Sequence, residues 1–260
     1  MMHVALSVDD VAGEEWFDAI ADTRCIRAAE VTLACLTENT EIIERAAVRG
    51  IDLACVRDVL SSEESRYFSD IPLRVRQSVA RTLGQRLIRC GRAGVRTASV
   101  RLGLERITEK EREGEIADRV AFLKNVISPL DSCGLTLCLT VRYPMERPQS
   151  REWDLAINIV HDVMHPVLRM GVDVFPSELD GDFDPMAFVR NTGMNLGVLR
   201  FVYEPGLGET LAASDLARWN EALRWHGYRG GIVFRPRPGI HTSIREVCAE
   251  VDAWAGIIQS

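Results

Sequence analysis

Six arginines stand at the ends of short apolar runs: Arg57, Arg101, Arg142, Arg200, Arg235 and Arg237. Five carboxylates lie near the same ends: Glu30, Asp58, Glu105, Glu178 and Glu204. A guanidinium is a planar fork that takes carboxylate or phosphate bidentately. A carboxylate held beside a bound substrate can move a proton. These types in this order point to a site for a small anion. Arg142, Arg200 and Arg235, with Arg101 and Arg237, are the expected substrate-binding side chains and charge stabilisers. Glu178 and Glu30 are the expected acid/base groups. Two arginines ~8 Å apart at an effective dielectric near 20 repel by roughly 2 kcal/mol. Converging arginines therefore need counter-charges, supplied by a bound anion or by the carboxylates themselves. In the second case the arginines and glutamates form a salt-bridged plug, with Glu178 the nearest candidate to be shared by Arg200 and Arg235.

The chain that must position them has 260 residues, 47% hydrophobic and 27% charged, an ordinary globular composition. Its net charge is −7, which argues against a generic nucleic-acid-binding face. Only two of the 31 basic residues are lysines, Lys110 and Lys124. The seven cysteines form no CxxC pair, and several lie inside apolar runs, as small core residues do. A reducing, cytoplasmic setting is the expectation. The N-terminus reads as no signal peptide, and no apolar run reaches the roughly 18 residues of a membrane span.

Short apolar runs alternate with amphipathic stretches from end to end. Strands are expected at His3–Val8, within Ala28–Leu36, and at Ile51–Val56, Arg96–Leu102, Leu135–Val141, Val172–Phe175, Leu196–Val202 and Gly230–Arg235. Helices are expected at Glu14–Thr23, Glu41–Arg49, between Pro72 and Gly91, and at Glu115–Leu130, Glu152–Met170 and Ser214–His226. A last helix follows Ile244, and a short one opens at Asp184-Pro185. Val75, Val79, Leu83 and Leu87 recur every four residues, as one helix face requires. Leu135, Leu137, Leu139 and Val141 alternate as in a strand. Strict alternation of strand and helix implies a parallel sheet with helical crossovers. Eight such units in one undivided domain, residues 1–260, fit a single (β/α)₈ TIM barrel better than a doubly wound sheet, and no GxGxxG follows the first strand.

Barrel sites lie at the C-terminal strand ends. There the run Arg27-Ala28-Ala29-Glu30-Val31 resembles the second-strand pattern of the xylose-isomerase-like superfamily of sugar phosphate isomerases and epimerases, which includes barrels like apurinic endonuclease family 2. Gly134-Leu135-Thr136-Leu137-Cys138-Leu139 is similar to that family's fifth-strand lead-in. Tyr228-Arg229-Gly230-Gly231-Ile232-Val233-Phe234 resembles its eighth strand. The resemblance implies a TIM barrel and isomerase or epimerase chemistry. In the family a divalent metal polarises the substrate oxygens and is held by carboxylates and imidazoles. At the matching positions this chain has Thr140 (or Val141), Phe175 and Glu178, Arg200 and Arg235. Arginine cannot bind a cation. The resemblance is thus to a degenerate member, for which no metal and no other cofactor are expected. The expected ligand is a small anionic or carbohydrate-like molecule: a polyol, sugar acid or phosphosugar. Turnover would be metal-independent isomerisation, epimerisation or lyase chemistry; the alternative is a binding or scaffold barrel without turnover.

Other signals read as structural. His161-Asp162-Val163-Met164-His165 imitates a zinc-protease helix but falls on the solvent side of its helix. Asp180-Gly181-Asp182-Phe183-Asp184 lacks the spacing of a calcium loop and reads as a turn ending in an N-cap, though the best remaining place for an adventitious cation. Gly206-Leu207-Gly208 reads as a turn, and His241 as a surface residue.

Overall fold

The computed structural model describes every residue except 1–2, 9–12, 40, 132, 144–151, 180, 206–211 and 238–242. Eight parallel strands close on themselves in chain order: β1 (His3–Ser7), β2 (Ala28–Thr32), β3 (Asp52–Arg57), β4 (Thr97–Val100), β5 (Thr136–Tyr143), β6 (Leu168–Val174), β7 (Leu196–Tyr203) and β8 (Gly231–Pro236). Closure is made by β8 against β1, with Val4 beside Ile232 and Leu6 beside Phe234. The helices are α1 (Gly13–Ala21), α2 (Leu33–Glu38), α3 (Glu41–Val48), α4 (Ser62–Arg66), α5 (Leu73–Arg92), α6 (Arg112–Ile127), α7 (Glu152–Val163), α8 (Pro185–Thr192), α9 (Ala213–Trp225) and α10 (Ile244–Gln259). This is the (β/α)₈ barrel that the alternation predicts. Among the described residues no helix is long and apolar enough to cross a membrane. All seven cysteines are free.

Two layers of side chains fill the structure. Outward strand residues pack under the helices in one apolar cluster that includes Leu6, Val31, Leu139, Phe201 and Phe234. Phe201 meets Trp219 and Phe234 meets Trp254, each pair with ring centroids 5.4 Å apart. Inward residues at the bottom of the barrel are small: Ala5, Ala28, Cys55, Cys138, Val198 and Val233. Because side chains alternate along a strand, the residues two further on also point inward. That step carries the chain from an apolar floor to Ser7, Glu30, Thr140 and Arg200, and from there to Arg142 and the mouth. Two register irregularities leave one extra residue each, Ala54 of β3 opposite Ala29/Glu30 and Gly197 of β7 opposite Met170/Gly171.

The expected boundaries fail most at one place. A helix from Glu152 to Met170 is expected, but α7 stops at Val163 and β6 begins at Leu168. Met164 adopts φ 53°, and Pro166 excludes the helical conformation for the residue before it. The strand is therefore longer than Val172–Phe175, and it ends at Val174. Within Ala28–Leu36 the expected strand is found, and it runs from Ala28 to Thr32. The Thr32 side chain caps α2 by accepting from the Cys35 amide. The Asp184-Pro185 start is found as expected, with the Asp184 carboxylate accepting from the Met186 amide.

The Tyr228-Arg229-Gly230-Gly231 segment has a packing role. The Tyr228 hydroxyl lies 2.8 Å from the Gly231 carbonyl oxygen and 3.3 Å from that of Gly197, tying β8 to β7. A Cβ on Gly230 would stand 2.3 Å from the Gly197 carbonyl oxygen, a backbone atom with no room to move aside. Gly230→Ala is expected to destabilise the barrel by about 1–3 kcal/mol. Equilibrium urea denaturation checks this: an unchanged midpoint would show that β7 and β8 can separate at no cost.

Candidate functional site

The centre of the barrel is an ion network. Arg200, on β7, is fully buried. Its Nε donates to Glu30 Oε1 at 2.7 Å and its Nη2 lies 2.6 Å from the same oxygen. The same guanidinium donates to the Ser99 hydroxyl on β4 and approaches Asp173 Oδ1 on β6 at 3.5 Å. One side chain thus links β7 to β2, β4 and β6. Glu30 is fully buried, and among the described residues its Oε2 has no hydrogen-bond partner. Burial alone pushes the Arg200 pKa down, but Glu30 and Asp173 more than reverse this and hold it above its ordinary value.

Asp173 is the hub. Its Oδ2 accepts from Arg101 Nη2 and lies 4.0 Å from Arg235 Nη1, while Oδ1 faces Arg200. Burial pushes the Asp173 carboxyl up, but Arg101, Arg200 and Arg235 outweigh that and hold it below the usual carboxylate range. Arg101 is held above its ordinary value, chiefly by Asp173. Arg235 moves the other way: burial lowers it, and neighbouring Arg57 lowers it further against the pull of Asp173. Among the described residues Arg235 has no hydrogen bond, and its carboxylate neighbour is shared with two other arginines.

A second network lies further out. The short turn Pro176–Glu178 carries Glu178 over the ends of β5 and β8. Arg142 Nη2 donates to Glu178 Oε1 at 2.6 Å, and Arg237 Nη2 donates to it at 3.1 Å. Arg237 also pairs with Glu204. The Phe175 ring packs against both guanidinium groups, 3.8 Å from Arg142 and 4.7 Å from Arg237. Arg57 is tied down separately, by Asp58 at 2.6 Å and by the Val8 carbonyl at 3.1 Å. A cleft of about 1400 Å³ opens above the inner network, lined among others by Arg57, Arg101, Arg142, Asp173, Phe175 and Arg235.

The structure brings together Glu30, Arg101, Arg200 and Arg235 in one network and Arg142, Glu178 and Arg237 in another. It corrects the expected pairing. Glu178 is the expected shared partner of Arg200 and Arg235, but it serves Arg142 and Arg237, because its turn leads outward from the strand. Glu30 lies in the barrel core as a counter-ion to Arg200, not at the mouth. His161 and His165 are not on one helix face, since α7 ends between them; His165 Nε2 pairs with Asp131 Oδ1 at 3.1 Å. Gly206-Leu207-Gly208, His241 and Asp180 lie outside the described residues.

Sequence reasoning missed Asp173, Ser99 and Arg119. Asp173 carries a readable signal, a lone acid inside Val172-Asp173-Val174-Phe175, where a buried strand allows a charge only if it is paired. Arg119 stands on the apolar stripe of α6, between Ile116 and Leu123. It is fully buried, donates from Nε to the Leu102 carbonyl at 2.8 Å and from Nη2 to Ser69 Oγ at 3.1 Å, and so fixes the loop after Arg101.

No protein-family model matches the chain, and no curated protein does so by sequence. Solved structures match over its whole length. D-psicose 3-epimerase with D-tagatose from Clostridium cellulolyticum H10 is similar with a TM-score of 0.70 and 17% identity, covering 99% of this chain and 98% of that one. A xylose isomerase domain protein from Alicyclobacillus acidocaldarius gives 0.69 and 15%, covering all of both chains. The 3-keto-D-glucoside 4-epimerase of E. coli, in its apo form, gives 0.67 and 14%, covering 98% and 99%. The fold is therefore that of the xylose-isomerase-like sugar epimerase barrels. At these identities the likeness is one of fold, and function has to be argued from the site.

The network has a pH signature. A folded-state carboxyl held below its unfolded value contributes stability above about pH 4, which is lost as the pH falls through the folded value. Asp173→Asn removes the shared counter-charge of three arginines and is expected to cost about 3 kcal/mol or more at neutral pH. Its stability should also fall less steeply on acidification than the wild type's. Denaturation midpoints from neutral to acid pH check both; a neutral-pH loss with an unchanged acid limb would remove Asp173 from the hub.

Proposed function

We propose that the barrel mouth binds a small anionic carbohydrate-like molecule, a sugar acid or a phosphosugar, with Arg235 as its anchor and Arg101 beside it. One observation carries this reading. Arg235 faces the cleft as a half-buried cation without a hydrogen bond among the described residues, 4.0 Å from a carboxylate that two other arginines already hold. Among the described ion pairs Asp173 answers Arg101, Arg200 and Arg235 together, so no carboxylate is left to Arg235 alone. A carboxylate or phosphate would neutralise it and give the Arg235 fork its acceptor. The carbohydrate part of the proposal is supported by the fold shared with D-psicose 3-epimerase and 3-keto-D-glucoside 4-epimerase.

The donor set does not fit a divalent cation. Among the described residues no three His, Cys, Asp or Glu side chains converge. Asp173 faces three guanidinium groups and Glu178 faces two, so each oxygen that would ligate a metal already faces a fixed positive charge. Proton transfer at the mouth would fall to Glu178, whose side chain is 36% exposed, and not to Glu30, which the network seals beneath Arg200.

Thermal denaturation tests the binding. At about a hundred times Kd a bound ligand stabilises by about 2.7 kcal/mol, a rise of roughly 5–10 °C for a chain of this size. A sugar phosphate or sugar acid should give such a shift with the wild type and none with Arg235→Gln. Equal shifts in both proteins would place the anion elsewhere. Mn²⁺ or Mg²⁺ should give no comparable shift, and neither should start isomerisation of a neutral aldose or ketose. Metal-stimulated turnover of such a sugar would overturn the reading of the donor set.

A further inference from the structure

On the outside of the barrel, α5 departs from the charge of the chain that carries it. Its 20 residues include six arginines and no aspartate or glutamate. The whole chain has net charge −7, so everything outside this helix sums to −7 − 6 = −13. Only Arg76 is answered, by Asp118 of α6 at 2.8 Å. Arg74, Arg81, Arg86, Arg89 and Arg92 are all exposed, and none has an ion pair among the described residues.

Four of them share a face, and Arg86 lies about 120° round the helix from it. At about 100° per residue, Arg74, Arg81 and Arg92 fall on one line, with Arg89 beside it. The line lies opposite Leu83, Leu87 and Cys90, which are buried against the barrel. From Arg74 to Arg92 it runs about 27 Å at 1.5 Å per residue. The exposed side chains between are uncharged: Gln77, Ser78, Thr82 and Gln85. At the start of the helix two exposed apolar groups, Leu73 and Val75, flank Arg74 on opposite sides, with Tyr67 just before them.

We infer that this face of α5 is a docking surface for an acidic protein segment, one that lays carboxylates along the arginine line and an apolar side chain beside its start, on Leu73. Arginine with tyrosine and apolar side chains is the mixture that protein interfaces favour. Nucleic acid fits less well. No aromatic residue interrupts the arginines to stack a base, and a long polyanion would run past the helix onto an acidic surface. A second copy of this face fits worst, because a two-fold contact would set arginine against arginine.

The test uses the full chain and a Glu-rich helical peptide with leucines at one end, binding being followed by fluorescence anisotropy at low and high salt. The expected result is salt-sensitive binding, weakened at least tenfold by the triple reversal R74E/R81E/R89E. All three positions are exposed, so the fold and any anion-induced stabilisation at the barrel mouth should be unchanged, which separates this surface from the site at the mouth. Duplex DNA and anionic lipid vesicles are titrated in parallel. The inference is overturned if the reversal leaves peptide binding intact, if the peptide does not bind, or if DNA or vesicles bind more tightly and the reversal abolishes that binding instead.

Discussion

A guanidinium buried at the centre of a closed barrel must be neutralised on the spot. The idealised cost of moving such an ion out of water is of order 20 kcal/mol, and several kcal/mol remain after relaxation. Arg200 meets this requirement through Glu30 on one side and Asp173 on the other. Every other feature of the mouth follows from that choice. Asp173, committed to Arg200 and Arg101, has little left for Arg235. Glu178, committed to Arg142 and Arg237, is taken from the inner ring altogether. Among the described residues Arg235 is left with only a share of Asp173, at 4.0 Å, and it faces the open cleft.

The barrel was legible in the sequence because its two periodicities were. Alternation in Leu135–Val141 and four-residue spacing from Val75 to Leu87 depend only on which side of an element faces the core. The α7–β6 boundary was not, because Val163 to Met170 is apolar enough for either state. There the turn is set by the left-handed Met164 and by Pro166 rather than by hydrophobicity. Asp173 lies inside the expected strand Val172–Phe175, but its inward direction depends on the register, which the sequence does not show.

The arginines themselves were legible as a group, since each stands where an apolar run ends. Their partners were not. Pairing in a barrel joins strands distant in sequence, as Arg200 joins Glu30 at a separation of 170 residues. Strand order alone puts β6 beside β7, which made Glu178 look like the neighbour of Arg200. The turn at Pro176 sends it outward instead. A fold shared with sugar epimerases and a mouth lined with ion-paired arginines are compatible, because the barrel leaves strand-end residues free to vary while the outer apolar layer holds the architecture.

Arg235 is the cation of the mouth left to meet a ligand. The most direct measurement is electron density at the mouth in crystals of protein soaked with a sugar phosphate. Density for the anion is expected between Arg235 and Arg101, with Arg200, Glu30 and Asp173 unmoved. Arg235 turned onto a protein carboxylate, with solvent alone in the cleft, would contradict it and leave the arginines as a salt-bridged plug.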